Sequence, residues 1–155
     1  EGPAVPGNGV GMSSVREDRQ RQIRALVRSG GIRTQHGLVT ALKEHGFDVT
    51  QATVSRDISD LDLQKDEKGF YALAEDLRFK TILTATGRAT KRAGNQVLLF
   101  TEPGSASSVA AALDSALPEG VLGSIAGDDT ILVITADEEA GELFQKRVDS
   151  MLSNK

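Results

Sequence analysis

The chain has 155 residues, enough for one ordinary domain or two small ones and too few for a barrel enzyme. It holds no cysteine and two histidines, His36 and His45, which excludes disulfides, thiolate zinc sites and a cysteine nucleophile and leaves any histidine metal site dependent on carboxylates. Eighteen Lys and Arg against 22 Asp and Glu give a net charge of -4, which taken whole weighs against a nucleic-acid partner.

Residues 1–11, with four Gly and two Pro, read as a leader ahead of a start at Met12. Their run Gly7-Asn8-Gly9-Val10-Gly11 is no phosphate loop, because no strand precedes it and no helical pattern follows at once. Ile23, Leu26 and Val27 fall at helical spacing among Arg16, Arg19, Arg21, Arg24 and Arg28, predicting a first helix from Val15 to Ser29 that Gly30-Gly31 stops. Thr34 caps a second helix with Leu38, Val39 and Leu42 on one face, closed by Gly46. Thr50 caps a third carrying Val54, Ile58 and Leu61.

Two helices joined by a few residues that include a glycine match the helix-turn-helix pattern. The strand-like stretches Leu63-Gln64-Lys65 and residues 70–73, turned at Glu67-Lys68-Gly69, add a wing with Lys65 and Lys68 near its tip. Residues 74–80 read as a linker or short helix. Residues 84–92 predict a strand paired back through Ala93-Gly94-Asn95, and Val97-Leu98-Leu99-Phe100 marks a buried strand over residues 96–101. Pro103-Gly104 breaks it before a helix over residues 105–117 with Val109, Leu113 and Ala116 inward. Two more strands, residues 121–126 and 130–135, flank the polar turn Gly127-Asp128-Asp129. Asp137 caps a last helix whose expected apolar face is Ala140, Leu143, Phe144, Val148 and Met151.

The whole-chain charge hides a split. Residues 1–92 carry 15 basic and 12 acidic side chains, and residues 93–155 carry 3 and 10. Asymmetry of this kind points to two parts with different partners. Each part is small, so assembly is an expected source of stability. No apolar run approaches the ~20 residues needed to cross a bilayer and no secretory signal is evident, so no membrane partner and a cytoplasmic address are expected.

On a wheel for the third helix, Ala52, Arg56 and Ser59 point away from the Val54 stripe and Thr53 and Ser55 flank them. Small residues around one Arg suit a major groove, where Arg reads a guanine edge in two bonds and Ser or Thr reaches bases or phosphates. The rival is an ordinary polar face; the preceding helix, the turn and the wing tip the balance to double-stranded DNA. The arginines of the first helix add phosphate contacts or form a solvated face, the latter being the safer expectation for most of them. His36 and His45 are too far apart to act as joint ligands and are expected at the surface or in caps. Asp128 and Asp129 are turn formers, or a carboxylate pair suited to a guanidinium, with Asp114 a further candidate.

From about Arg16 onward the chain resembles the bacterial arginine repressors. Val49-Thr50-Gln51-Ala52-Thr53-Val54-Ser55-Arg56-Asp57 looks like their recognition-helix motif. Leu122-Gly123-Ser124-Ile125-Ala126-Gly127-Asp128-Asp129-Thr130-Ile131 looks like their effector-binding signature. The resemblance implies an N-terminal winged helix-turn-helix domain (12–74), a linker (75–83) and a C-terminal α/β sandwich with an antiparallel sheet and two helices (84–155), α+β overall, forming trimers that pair into hexamers. It also implies L-arginine as corepressor between trimers, with no metal, and repression of arginine biosynthesis genes with activation of catabolic ones as a further role. Ser55 and Arg56 would contact DNA with Gln51 and Thr53 in support and Lys68, or Lys65, on the wing. Asp128, Asp129, Asp114, Ser124, Ala126 and Ser107 would bind L-arginine. Ser107 stands where the family often has Gln, Ser124 where Thr is usual, and residues 84–92 are less apolar than the family's strand.

Two other classes compete. The C-terminal half could take another amino acid or a protein partner. An enzyme is disfavoured, because the sequence offers no nucleophile–base pair, phosphate loop or metal spacing.

Overall fold

The computed structural model describes residues 14–154; the leader expected over residues 1–11 and the start at Met12 lie outside them. The chain divides after Ala74 into two compact units.

The first unit begins with α1 (Val15–Ser29), whose N-cap Ser14 accepts a hydrogen bond from the Glu17 amide, with Glu17 and Asp18 in the first turn as the helix dipole favours. α2 (Gln35–Glu44) starts at Thr34, whose hydroxyl accepts from the Gly37 amide at 2.9 Å. α3 (Gln51–Asp60) starts at Thr50, which accepts from the Thr53 amide at 3.2 Å. Between them Gly46 takes a φ of +85°, a left-handed conformation that favours glycine and sends the chain sharply from one helix toward the next. The wing is the antiparallel pair β1 (Leu63–Lys65) and β2 (Tyr71–Leu73). Ile23, Val27, Leu38, Val39, Leu42, Val49, Val54, Leu63 and Leu73 form one buried cluster, so the three helices and the wing share a core.

The second unit is a four-stranded antiparallel sheet in the order β3-β4-β6-β5, made of β3 (Gly87–Ala93), β4 (Gln96–Thr101), β5 (Val121–Ala126) and β6 (Thr130–Thr135). Its helices are α4 (Ala74–Thr86), α5 (Ala106–Ala116) and α6 (Glu138–Ser153). Val97, Leu99, Ile131 and Val133 face the helices and pack with Phe79, Leu83, Val109, Leu113, Phe144 and Val148. The opposite face keeps one apolar row in register, Ile125, Leu132 and Leu98, ending at Lys91.

Three expectations change. Residues 74–80, read as a linker or short helix, belong to the longer α4, a third helix beside the two expected, and the strand expected from residue 84 begins at Gly87. Leu143 is 62% exposed, because α6 turns Gly141, Phe144 and Val148 inward. A Cβ on Gly141 would lie 2.8 Å from the Gly94 carbonyl oxygen, so the helix approaches the β3–β4 turn too closely for a side chain there. Finally, residues 1–74 hold ten basic and ten acidic side chains. The basic surplus read over residues 1–92 comes from residues 75–92, which belong to the second unit.

Candidate nucleic-acid interface and ligand site

α3 is anchored by Val54, fully buried, with Ile58 and Leu61 partly buried behind it. Fixing that stripe turns Gln51, Ala52, Ser55, Arg56 and Ser59 outward, and all five are exposed. Thr53 is half-buried, and its hydroxyl lies 3.0 Å from that of Thr50, so it helps close the start of the helix. The face therefore offers one guanidinium among short polar and methyl side chains, a shape that permits close approach to a groove floor.

Asp57 was missed as a structural residue by the sequence reading. It follows Arg56 directly yet is 1% exposed. Arg19 on α1 donates to it through Nε and through Nη2, the second bond at 3.0 Å, and the Gln20 amide nitrogen donates at 3.1 Å. Burial pushes the Asp57 pKa up, but these hydrogen bonds and the positive charges of Arg19 and Arg16 outweigh it and hold the carboxyl below the usual aspartate range. One turn away, Arg16 donates to Asp60 at 2.8 Å. Arg19, with its side chain only 12% exposed, is thus neither a phosphate contact nor a solvated side chain, because the buried carboxylate draws it inward. The spacing Val54 to Asp57, one helical turn on the buried stripe, is the signal that could have found it.

On the wing, Asp66 accepts from the amides of Lys68 and Phe70, each at 2.9 Å, and Gly69 completes the turn with a φ of +85°. Lys68 is exposed at the tip. The Lys65 ammonium lies over the Tyr71 ring, 5.0 Å from its centre, and Arg33 lies 4.3 Å from the centre of Phe70. Tyr71 also donates its amide to the Ile32 carbonyl at 2.8 Å, tying the wing to the segment before α2. His36 is exposed and His45 caps α2 with Nδ1 2.8 Å from the Ala41 carbonyl, so both lie where surface or capping residues were expected.

In the second unit the turn between β5 and β6 docks on the start of α5. The Asp128 carbonyl accepts from the Ala106 amide at 3.2 Å, and the Asp129 carbonyl accepts from the Thr101 amide at 2.8 Å. Asp128 and Asp129 keep exposed side chains, Asp129 accepting from the Thr130 hydroxyl at 3.0 Å. Ser107 stands exposed one residue past Ala106. Further along α5, Asp114 accepts from the Ser124 hydroxyl of β5 at 3.0 Å, so two of the six candidates are in direct contact. Ala126 is exposed at the end of β5. The Ser124–Asp114 bond joins β5 to α5, and the Asp128 carbonyl joins the β5–β6 turn to the start of α5, while Ser107, Asp114, Ala126, Asp128 and Asp129 are exposed. The carboxylates along this seam, with hydroxyls beside them, match the charge and bonding of a guanidinium or ammonium ligand. Among the described residues no group of three or more His, Cys, Asp or Glu side chains could hold a metal, and no helix is long and apolar enough to cross a membrane.

The arginine repressor DNA-binding domain model matches residues 15–79, and the arginine repressor C-terminal domain model matches residues 83–150. The chain is 43% identical to the arginine repressor of Solibacter usitatus, over 88% of this chain and 96% of that protein. It is 45% identical to that of Carboxydothermus hydrogenoformans, over 87% and 97%, and 40% identical to one from Staphylococcus epidermidis, over 86% and 96%. Two family models in sequence, and relatives matched over nearly their full length, lead to one conclusion: the chain belongs to the arginine repressors, a family of arginine-responsive DNA-binding transcriptional repressors and not of enzymes.

Proposed function

We propose that the chain represses arginine biosynthesis genes in the cytoplasm, and activates catabolic ones, by reading operator DNA with α3 when L-arginine is bound. The carrying observation is the exposed row Gln51, Ala52, Ser55, Arg56 and Ser59 beside a packed α2. Arg56 makes a two-bond contact to a guanine edge, Ser55 a base or phosphate contact, Gln51 and Thr53 supporting contacts, and Lys68 a phosphate contact from the wing. The DNA-binding domain ends at Ala74, and the assembly domain begins at Glu75 with α4, whose Phe79 and Leu83 pack in its core.

L-arginine is the corepressor. It binds at the seam of Ser107, Asp114, Ser124, Ala126, Asp128 and Asp129, between trimers that pair into a hexamer. Exposed carboxylates suit a ligand held across an interface, because each copy leaves part of the ligand's charge for its neighbour to satisfy.

The test is a binding titration with the full chain and a duplex it has selected from a random pool. Affinity should rise with L-arginine and not with the neutral analogue citrulline, and Asp128→Asn should remove the difference. Arg56→Ala should weaken specific binding by about 1–3 kcal/mol and relax sequence choice, whereas Lys68→Ala should weaken all duplexes alike. Affinity indifferent to L-arginine and to Asp128→Asn would sink the sensing half of the proposal.

A further inference from the structure

We infer that the buried cluster of Arg19, Gln20 and Asp57 is a positioning device that sets the rotation of α3 about its axis and thereby the sequence selectivity of the DNA-reading face. This rests on the reading of α3 as the DNA-contacting helix.

α3 has little apolar surface with which to fix itself. Val54 is its single fully buried apolar side chain, and its close backbone neighbours are α2 and β1. Val54, with Ile58 and Leu61 only partly buried behind it, decides which face of α3 points outward but leaves smaller rotations about the helix axis soft. Asp57 supplies a second buried anchor one turn along, of a different kind. Both of its oxygens are engaged, by two nitrogens of Arg19 and by the Gln20 amide, so the carboxylate is held in a plane and a direction. Arg19 and Gln20 are neighbours on α1, and Arg16 to Asp60 at 2.8 Å repeats the stitch one turn farther on. Arg56 and Ser55 precede Asp57 directly, so fixing its azimuth fixes theirs, each residue being displaced by roughly 100° around the helix.

A buried ion pair is an expensive way to gain stability, since apolar side chains of similar volume are often as stabilising or more so. What it adds is directionality, which an apolar contact lacks. Non-specific binding, made by charges on flexible side chains, tolerates a small rotation of α3. A two-bond contact between Arg56 and a base edge does not.

The experiment uses the full chain with saturating L-arginine, a duplex selected by the wild-type chain from a random pool, and a scrambled duplex of equal length. In Arg19→Met/Asp57→Leu the pair is replaced by apolar side chains. The melting temperature and the affinity for the scrambled duplex are expected to stay near wild type, while the ratio of selected to scrambled affinity falls by about tenfold or more. Arg19→Lys, which keeps the charge and loses the two-bond fork, should lower the ratio without unfolding and carries the test if the double variant does not fold. An unchanged ratio in whichever of these variants folds overturns the positioning role. So does an equal loss of affinity for both duplexes, which leaves the ratio where it was and reports unfolding alone. Arg56→Ala, measured in parallel, separates the two levels: if it leaves the ratio intact, α3 is not the reader and the proposed DNA contact fails with it; if it collapses the ratio while both cluster variants keep theirs, only the positioning role fails.

Discussion

At Gly87 the chain passes from α4 into β3 with no room for a side chain. A Cβ there would stand 2.6 Å from the Leu83 carbonyl oxygen and within 3 Å of the Leu83 and Leu152 side chains. A backbone oxygen cannot swing aside as a side-chain end can, so Gly87→Ala should destabilise the second unit by about 1–3 kcal/mol, read as a lower urea midpoint. A midpoint within error of wild type would mean that the junction relaxes freely. Asp57 makes the opposite kind of demand, for a charge where the core is otherwise apolar. Its folded pKa lies below that of an unfolded aspartate, about 3.9, so its contribution is complete above that pH and is lost as pH falls through the folded value. Urea unfolding across an acid series should therefore show the first unit weakening below about pH 4, with a shallower dependence in Asp57→Asn. Equal slopes in the two chains would assign the acid sensitivity to other carboxylates. Neither residue was legible in the sequence as more than a strand residue or a motif letter: Gly87 because the crowding by Leu83 arises only where α4 turns into β3, with Leu152 closing in from α6, and Asp57 because its partner Arg19 lies on another helix.

Elements were far more legible than such pairs, and the reasons are local. Thr34, Thr50 and Asp137 each precede an apolar period and each caps its helix, while Pro103-Gly104 and the turn at Gly127-Asp128-Asp129 fence strands of alternating burial. The candidate DNA face was readable for the same reason: once Val54 is inward, helical geometry alone sends Ser55 and Arg56 out. α4 was harder to read, because its mixture of Thr, Ala and Ile has almost no one-sided periodicity and its burial rests on Phe79 and Leu83 meeting a sheet formed later in the chain. Capping also allows a test at this scale. Thr50 accepts from the Thr53 amide and shares a hydroxyl contact with Thr53, so Thr50→Ala should cost about 1 kcal/mol of stability and Thr50→Asp, which can accept the same bond, much less. Urea unfolding of the three chains side by side decides it. A Thr50→Ala chain as stable as wild type would show that packing against α2 alone holds the start of α3.

For the whole molecule, the charge balance poses a problem that assembly answers. With ten basic and ten acidic side chains, residues 1–74 have no net charge to draw them to DNA, so a single copy gains little from the non-specific phosphate attraction on which many DNA-binding domains rely. In the proposed assembly specific contacts are multiplied over several linked copies, and linkage can raise apparent affinity by roughly a hundredfold or more without any new contact. The second unit carries a surface suited to the linkage. Among the described residues of this unit the helices pack on one face of its sheet, and on the other Ile125, 72% exposed, continues through Leu132 and Leu98 as an apolar row across three strands. Leu132 sits in the middle of that row and outside the buried core, so Leu132→Glu should leave the unit folded while placing a charge where a second copy would pack. By sedimentation the variant should run as a monomer where the wild type assembles, with unchanged helix content by circular dichroism. Its affinity for the selected duplex should fall about a hundredfold, and added L-arginine should no longer restore it. If the variant instead sediments with the wild type and binds as tightly, the uncovered face is not what joins the copies, and the neutral charge of the DNA-binding unit must be offset within a single chain.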